Sequence, residues 1–486
     1  MRPAVKFLSN ELIEKIYGES IRVLETLGIE IRYSAALDIL AAAGAAIDRE
    51  HCRVKIPEQL VRQAVASAPS SFGLYDVLGN QTNHFADDRV HFTPGSAALN
   101  ILDHATGTAR RPTSADYVDY VKVIDRLDNI AAQSTALIPD DVLDPVSDSN
   151  RLYLSLLFGE KPVVTGTFSA AAFTVMLDLQ LAVRGSEAAL REKPLTVFSC
   201  CPTSPLKWSE VTTRNLIDCA RYSIPVELIA MPLSGFVAPV TLTGSLIQHS
   251  AENLCGLVLS QLVNPGTPVL YGGSPAVFDM RYETTPMGAI ETMMIDCAYN
   301  EIGKYLGLPT QAYIALSDAK LLDAQAGLET GIGACLATLS GINSLSGPGM
   351  LDFESCQSLE KLVLDNEIAG MCLRLAQGIT PRDDFPAIPL LEELMRSDHL
   401  LIAEHTMRYL RQEHYFPGPV IDRANRSRWA EEGHQSLGDR AHREVRRLIA
   451  EYQPSRLPES VKHDLRERMT AEVRKYGGSL PPLAGT

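Results

Sequence analysis

Aromatic rings and carboxylates recur at the ends of eight short apolar runs, and together they suit the recognition of a cation. Phe92, Phe168, Phe236, Tyr271, Tyr313 and Phe353 supply π faces, while Asp279, Asp318 and Asp352 supply negative charge beside Arg281 and Cys201. A cage of rings attracts a quaternary ammonium through the ring quadrupole and keeps water away from it. Rings at strand ends are core residues more often than ligands, so composition alone does not establish a cage. Other familiar chemistries are missing: there is no HExxH, no GxxxxGK[ST], no GxSxG and no Cys/His cluster at metal spacing. Adjacent Cys200 and Cys201 with a distant His91 would strain to chelate one zinc ion, and no metal is expected.

These positions have a common element order behind them. The runs are RVHFTPG (89–95), IAAQSTALIP (130–139), PVVTGTFS (162–169), LTVFSCC (195–201), VELIAMPLSG (226–235), PVLYGGSP (268–275), QAYIALS (311–317) and INSLSGPG (342–349). Each precedes an amphipathic helix, and continuous apolar runs suit parallel strands buried on both faces. The pattern predicts an α/β fold, a (β/α)8 TIM barrel over 86–378, with its active site at the C-terminal ends of the strands. Residues 1–85 read as an N-terminal α+β cap with helices near 8–28, 34–45 and Glu58 to Ala66, and strand-like RVKIP and FGLYD. The last barrel helix is expected to start at Ser358 as N-cap and to stop at Gly378. A Pro-rich linker and a helical extension with interleaved Arg and Glu fill 379–486, packing on the barrel or on a second subunit.

Composition narrows the partners. The formal net charge of −15 over 486 residues argues against nucleic acid, which clustered Lys and Arg bind, and mildly favours a small cation. Nine cysteines without a CxxC read as reduced thiols of a cytoplasmic protein. The absence of a long apolar run predicts no membrane insertion, and a homo-oligomer is expected.

Residues 231–291, MPLSGFVAPVTLTGSLIQHSAENLCGLVLSQLVNPGTPVLYGGSPAVFDMRYETTPMGAIE, are the most distinctive stretch. With SPL (204–206), SDAKLLDAQAGLE (317–329), GPGMLD (347–352), LVLDNE (362–367), EHTMRYLRQEHYFP (404–417), DR (422–423) and Trp429, the chain resembles the trimethylamine methyltransferase family over nearly its whole length. The resemblance implies a barrel enzyme that passes a methyl group from a small methylated amine to Co(I) cobalamin on a separate corrinoid protein, so no cofactor is held tightly by the chain itself. It carries over Asp279 and Arg281 of DMR, Asp318 of SDAK, Gln325 and Glu329 of QAGLE, and Gly349 of GPGM as site residues. DMR could equally be an ion pair tying loops together, and DAQAGLE a helix cap at Asp323.

Two departures bear on substrate. Trimethylamine-specific members carry pyrrolysine near Tyr313 to Asp318, where only standard residues stand here, and Cys201 occupies a position where relatives often have the Asn of NP-x-SPL. A quaternary ammonium leaves as a neutral amine without activation, so the resemblance favours a betaine-like donor such as glycine betaine, its carboxylate paired with Arg281 and its ammonium enclosed by Phe92, Phe168, Phe236, Tyr271, Tyr313 and Phe353. Two rivals differ in observable behaviour. A methylcorrinoid:tetrahydrofolate methyltransferase would need folate to remove the methyl group, and a non-catalytic module binding the amine or the corrinoid protein would change neither.

Overall fold

The computed structural model describes residues 2–482 and is a mixed α/β fold. All eight apolar runs contain a strand: β1 (His91–Thr93), β2 (Gln133–Ser134), β3 (Val163–Thr165), β4 (Thr196–Cys200), β5 (Val226–Ala230), β6 (Val269–Gly273), β7 (Gln311–Tyr313) and β8 (Ser344–Ser346). They are shorter than the runs because each loop begins where the chain turns out of the sheet.

Every pairing among the eight is parallel. Strands β6-β5-β4-β3-β2 form one sheet and β7-β8-β1 another. The sheet edges touch at isolated parallel bridges, Phe92 with Ile130 and Tyr271 with Thr310. There Ala131 N–H donates to the Phe92 carbonyl and Tyr271 N–H to the Pro309 carbonyl, each at 2.9 Å. Parallel neighbours require crossovers, and helices such as Leu242–Val263 and Ile290–Tyr305 supply them, burying most of their length.

Local chemistry explains the helix ends. Ser358 accepts from Lys361 N–H at 3.2 Å and starts the helix Leu359–Ala376; Gly378 follows it at φ 69°. Such caps contribute about 0.5–2 kcal/mol each. Asp323 caps Ala324–Ser340 by accepting from Gln325 and Ala326 N–H.

The N-terminal helix Asn10–Thr26 packs on Leu242–Val263. Strands Ile29–Ile31, Ala46–Asp48 and Arg53–Lys55 pair antiparallel and recruit Lys207–Trp208 from the loop after β4 as a parallel edge. A second small sheet, absent from the sequence expectation, joins Asn100–Asp103 and Thr108–Arg110 to Met350–Leu351 and Cys356–Gln357. Its strands all come from loops that leave the C-terminal ends of β1 and β8. In the C-terminal extension, Leu437–Ala450 packs on Leu359–Ala376 through Ala441, Val445 and Leu448, and Glu459–Lys475 packs on Ala172–Arg184. No described helix is long and apolar enough to cross a membrane.

Candidate functional site

A cavity of about 360 Å³ opens at the C-terminal ends of the parallel strands. Each strand or the loop following it contributes to the wall: Ser96 and Ala97 after β1, Thr135 after β2, Thr167 and Phe168 after β3, Ser199 from β4 and Cys201 just after it, Met231 after β5, Ser274 after β6, Tyr313 from β7 and Glu354 after β8. A larger cleft of about 1000 Å³ lies between Leu359–Ala376 and the extension, around Arg374, Arg382 and His414. It is a seam between helices and receives no strand end.

Glu354 dominates the cavity's electrostatics. Asp352, Phe353 and Glu354 stand consecutively in the left-handed region, at φ 51°, 55° and 67°, a costly run for non-glycine residues that turns the Glu354 side chain inward. Its Oε1 is buried without a hydrogen-bond partner. Gly95 makes room for it, since a Cβ there would come within 2.9 Å of that oxygen and 2.4 Å of Met350. Burial pushes the Glu354 carboxyl well above the usual range; an N–H from Ser96 opposes the shift and the charge of Glu227 adds to it.

Glu227 belongs to β5 and lies fully buried beneath the cavity floor. Its Oε1 accepts from the Ser199 hydroxyl at 2.6 Å, while Oε2 has no partner. Burial raises this carboxyl to about 7, against the lowering effect of Ser199. Burial, reinforced by the same two acids, raises their neighbours: the Cys201 thiol goes up to about 12, and the Tyr313 phenol, hydrogen-bonded to Ser96 Oγ at 2.8 Å, is held well above its usual range. The site thus gathers acidic groups, with Arg151 the one basic side chain among the described residues of its lining.

The wall beside Thr135 holds one cation already paired. Arg151, 1% exposed, donates to Asp148 Oδ1 at 2.7 Å and to the Thr135 carbonyl at 3.2 Å, and its Nε has no partner. Asp148 Oδ2 in turn accepts the N–H of Phe168 at 2.7 Å, and the Arg151 guanidinium lies 5.3 Å from the Phe168 ring centroid. Phe168 is thereby fixed at the cavity rim, 66% exposed. Arg151 and Glu354 both line the cavity, a positive and an acidic side chain at its wall.

Of the residues expected from sequence, Phe168, Cys201 and Tyr313 meet in this cavity. The others lie elsewhere. Phe92 is packed in the apolar core. Tyr271 turns to the helix layer, its hydroxyl donating to Ser250 Oγ at 2.8 Å. Phe236 stacks on Phe278 at 4.8 Å on an exposed lip, and Phe353 faces Lys320 at 3.8 Å. Arg281, expected to pair with a substrate carboxylate, is 80% exposed and bound by Asp279 at 2.6 Å; the turn Asp279–Thr284 makes DMR an ion pair within one loop. That pairing holds the Asp279 carboxyl down at about 2.

SDAK and QAGLE converge on each other rather than on the cavity. Asp318 accepts N–H groups of Met287 and Gly288, at 3.0 and 2.8 Å, and Glu329 accepts from Ser317 Oγ, Asp318 N–H and Gln325 Nε2. Burial raises Asp318 to about 6, opposed by the Gly288 N–H and reinforced by Glu329. Gly349, at φ 85°, donates its N–H to Asp365, which pairs with the buried Lys361.

Glu354, Glu227 and Arg151 were not among the expected residues. Two had a sequence signal: a lone Glu in VELIA and a lone Arg in RLYLSLLF are charges inside runs otherwise destined for the core. Glu354 is one residue beyond Phe353 and follows a motif already noted, but nothing in its type distinguishes it from Asp352.

The chain is 31% identical over 469 residues to the trimethylamine methyltransferase MttB of Desulfitobacterium hafniense (strain DSM 10664 / DCB-2), covering 96% of this chain and 94% of that one. It is 28% identical over 477 residues to a glycine betaine methyltransferase of Desulfitobacterium hafniense (strain Y51), covering 98% of both. The solved monomethylamine methyltransferase (MtmB) of Methanosarcina barkeri aligns with a TM-score of 0.49 at 11% identity, over 98% of this chain and 90% of that chain, a likeness too slight to carry an argument. The family model described as trimethylamine methyltransferase (MTTB) matches residues 1–477, and the chain belongs to that family.

Proposed function

We propose that the chain takes a methyl group from a quaternary ammonium donor of the betaine kind and passes it to the Co(I) of a cobalamin carried by a separate corrinoid protein. One observation carries this reading: the cavity sets Glu354, with a buried oxygen lacking any partner, above Glu227, which lacks one too, so that a permanent cation completes the site. Relatives named for trimethylamine and glycine betaine point to the same class of donor. A closed (β/α)8 barrel belongs to this reading, supported by the two bridges that join the sheet edges. So does a cytoplasmic setting, supported by nine cysteines outside any disulfide.

In this mechanism Glu354 holds the ammonium, Phe168 and Tyr313 face it, Glu227 adds negative potential from beneath the floor, and Arg151 draws the donor's carboxylate in place of Arg281. The C–N bond breaks with its electron pair going to nitrogen, which departs as a neutral tertiary amine. The corrinoid supplies the nucleophile, whose electron pair forms the new bond to carbon. No proton moves, so the chain's residues bind, dry and aim the methyl group, and orientation of this kind supplies up to about 7–11 kcal/mol. Phe168, Met231 and Phe236 leave an apolar lip at the opening, suited to the approach of a corrin face. The test mixes the chain with its reduced corrinoid protein and follows loss of the Co(I) absorbance. Glycine betaine or a related quaternary amine discharges it, whereas turnover of trimethylamine alone overturns the reading.

A further inference from the structure

Outside the cavity, two imidazoles and a buried carboxylate converge where the C-terminal extension meets the strand-bearing core. His104 sits on the turn between strands Asn100–Asp103 and Thr108–Arg110, Glu360 in the first turn of helix Leu359–Ala376, and His442 on helix Leu437–Ala450. One donor atom from each lies within 4.8 Å of the other two. His442 Nδ1 stands 2.9 Å from Glu360 Oε1, and the two rings face each other with centroids 4.1 Å apart, tilted by 8°.

We infer that His104, Glu360 and His442 form a site for a divalent transition metal of the Zn²⁺ class, which clamps the C-terminal extension to the core. Three points support it. The donor set, two nitrogens and one carboxylate oxygen, suits Zn²⁺, Co²⁺ or Ni²⁺ rather than Mg²⁺ or Ca²⁺, which favour oxygen throughout. The Glu360 carboxylate is held ready: its side chain is 8% exposed, and besides His442 it receives a Ser358 hydroxyl at a long 3.4 Å. The three donors come from segments remote in sequence, so a single ion ties hairpin, barrel-side helix and tail together.

Binding requires the stacked rings to splay until their nitrogens converge. His104 has the freedom to do so, being exposed on a four-residue turn, and its exposure leaves room for water as a further ligand. Asp439, one turn before His442, is engaged with Ser436 and lies within electrostatic reach of His104, adding negative potential without being needed as a ligand. None of this depends on the reading of the cavity.

The experiment uses the full, untagged chain stripped with chelator, with Zn²⁺ alone as the probe. Calorimetric titration is expected to show one equivalent bound, and Tm is expected to climb with the logarithm of Zn²⁺ concentration, as mass action on a folded-state site requires. His104→Ala and His442→Ala are each expected to weaken binding by at least roughly tenfold. His51→Ala, which removes another exposed histidine, leaves it unchanged. Tm of stripped His104→Ala matching that of the stripped parent would separate loss of metal from loss of fold. Absence of saturable binding by the parent, or stoichiometric binding that survives the double substitution, overturns the proposal.

Discussion

Glu354 and Glu329 are both carboxylates in loops or helices that follow the parallel strands, yet their surroundings are opposite. Glu329 spends both oxygens on donors inside the protein, Ser317, the Asp318 N–H and Gln325, and through Asp318 it locks the turn at Met287 and Gly288. Glu354 keeps a buried oxygen with nothing to bond to, beside a second acid in the same condition. A buried polar group left unmatched costs about 1–3 kcal/mol, more when charged, and a native fold tolerates it where a ligand relieves it. The contrast separates groups that build the mouth from the group that the proposed function assigns to the donor.

The largest expected effect comes from Glu354→Gln. It should lower kcat/KM for a quaternary donor by about two orders of magnitude, or about 2.7 kcal/mol, with Tm unchanged or raised because an unmatched acid is gone. Glu329→Gln should do the converse, lowering stability by about 1–3 kcal/mol in denaturant melts through weakened charge-assisted bonds while KM moves little.

The pH dependence sharpens the same contrast. Burial raises Glu227 to about 7, so its contribution to stability is complete below the ordinary carboxylate range and is lost as pH rises through about 7. A bound cation favours the ionised form, so affinity for the donor should increase across that rise while the ligand-free protein becomes less stable. Isothermal titration across this range, repeated on Glu227→Gln, should show the slope and then its flattening. The smallest effect belongs to Arg281→Ala. An 80% exposed side chain paired within its own loop should leave Tm unchanged and alter kcat/KM by less than about twofold.

Much of the scaffold was legible because it is written in patterns with a period. Eight apolar runs became eight parallel strands, and Ser358, Asp323 and Gly378 cap or stop helices as their chemistry dictates. The site was less legible for two reasons. Strand side chains alternate between faces, so a run's aromatic content does not say which ring enters the mouth: Tyr313 does, while Tyr271 turns to Ser250. The loops after the strands decide the rest, and Glu354 reaches the cavity through three consecutive left-handed residues that no propensity anticipates. In DMR, SDAK and QAGLE the side chains make loop-fastening contacts.

The most direct measurement compares equilibrium binding of glycine betaine with that of 3,3-dimethylbutanoate, which has the same shape with carbon in place of the charged nitrogen. The account predicts that the parent chain binds the betaine at least about a hundredfold more tightly and that Glu354→Gln removes most of that margin. Equal affinity for the two in the parent chain, or an unchanged margin in Glu354→Gln, would contradict it.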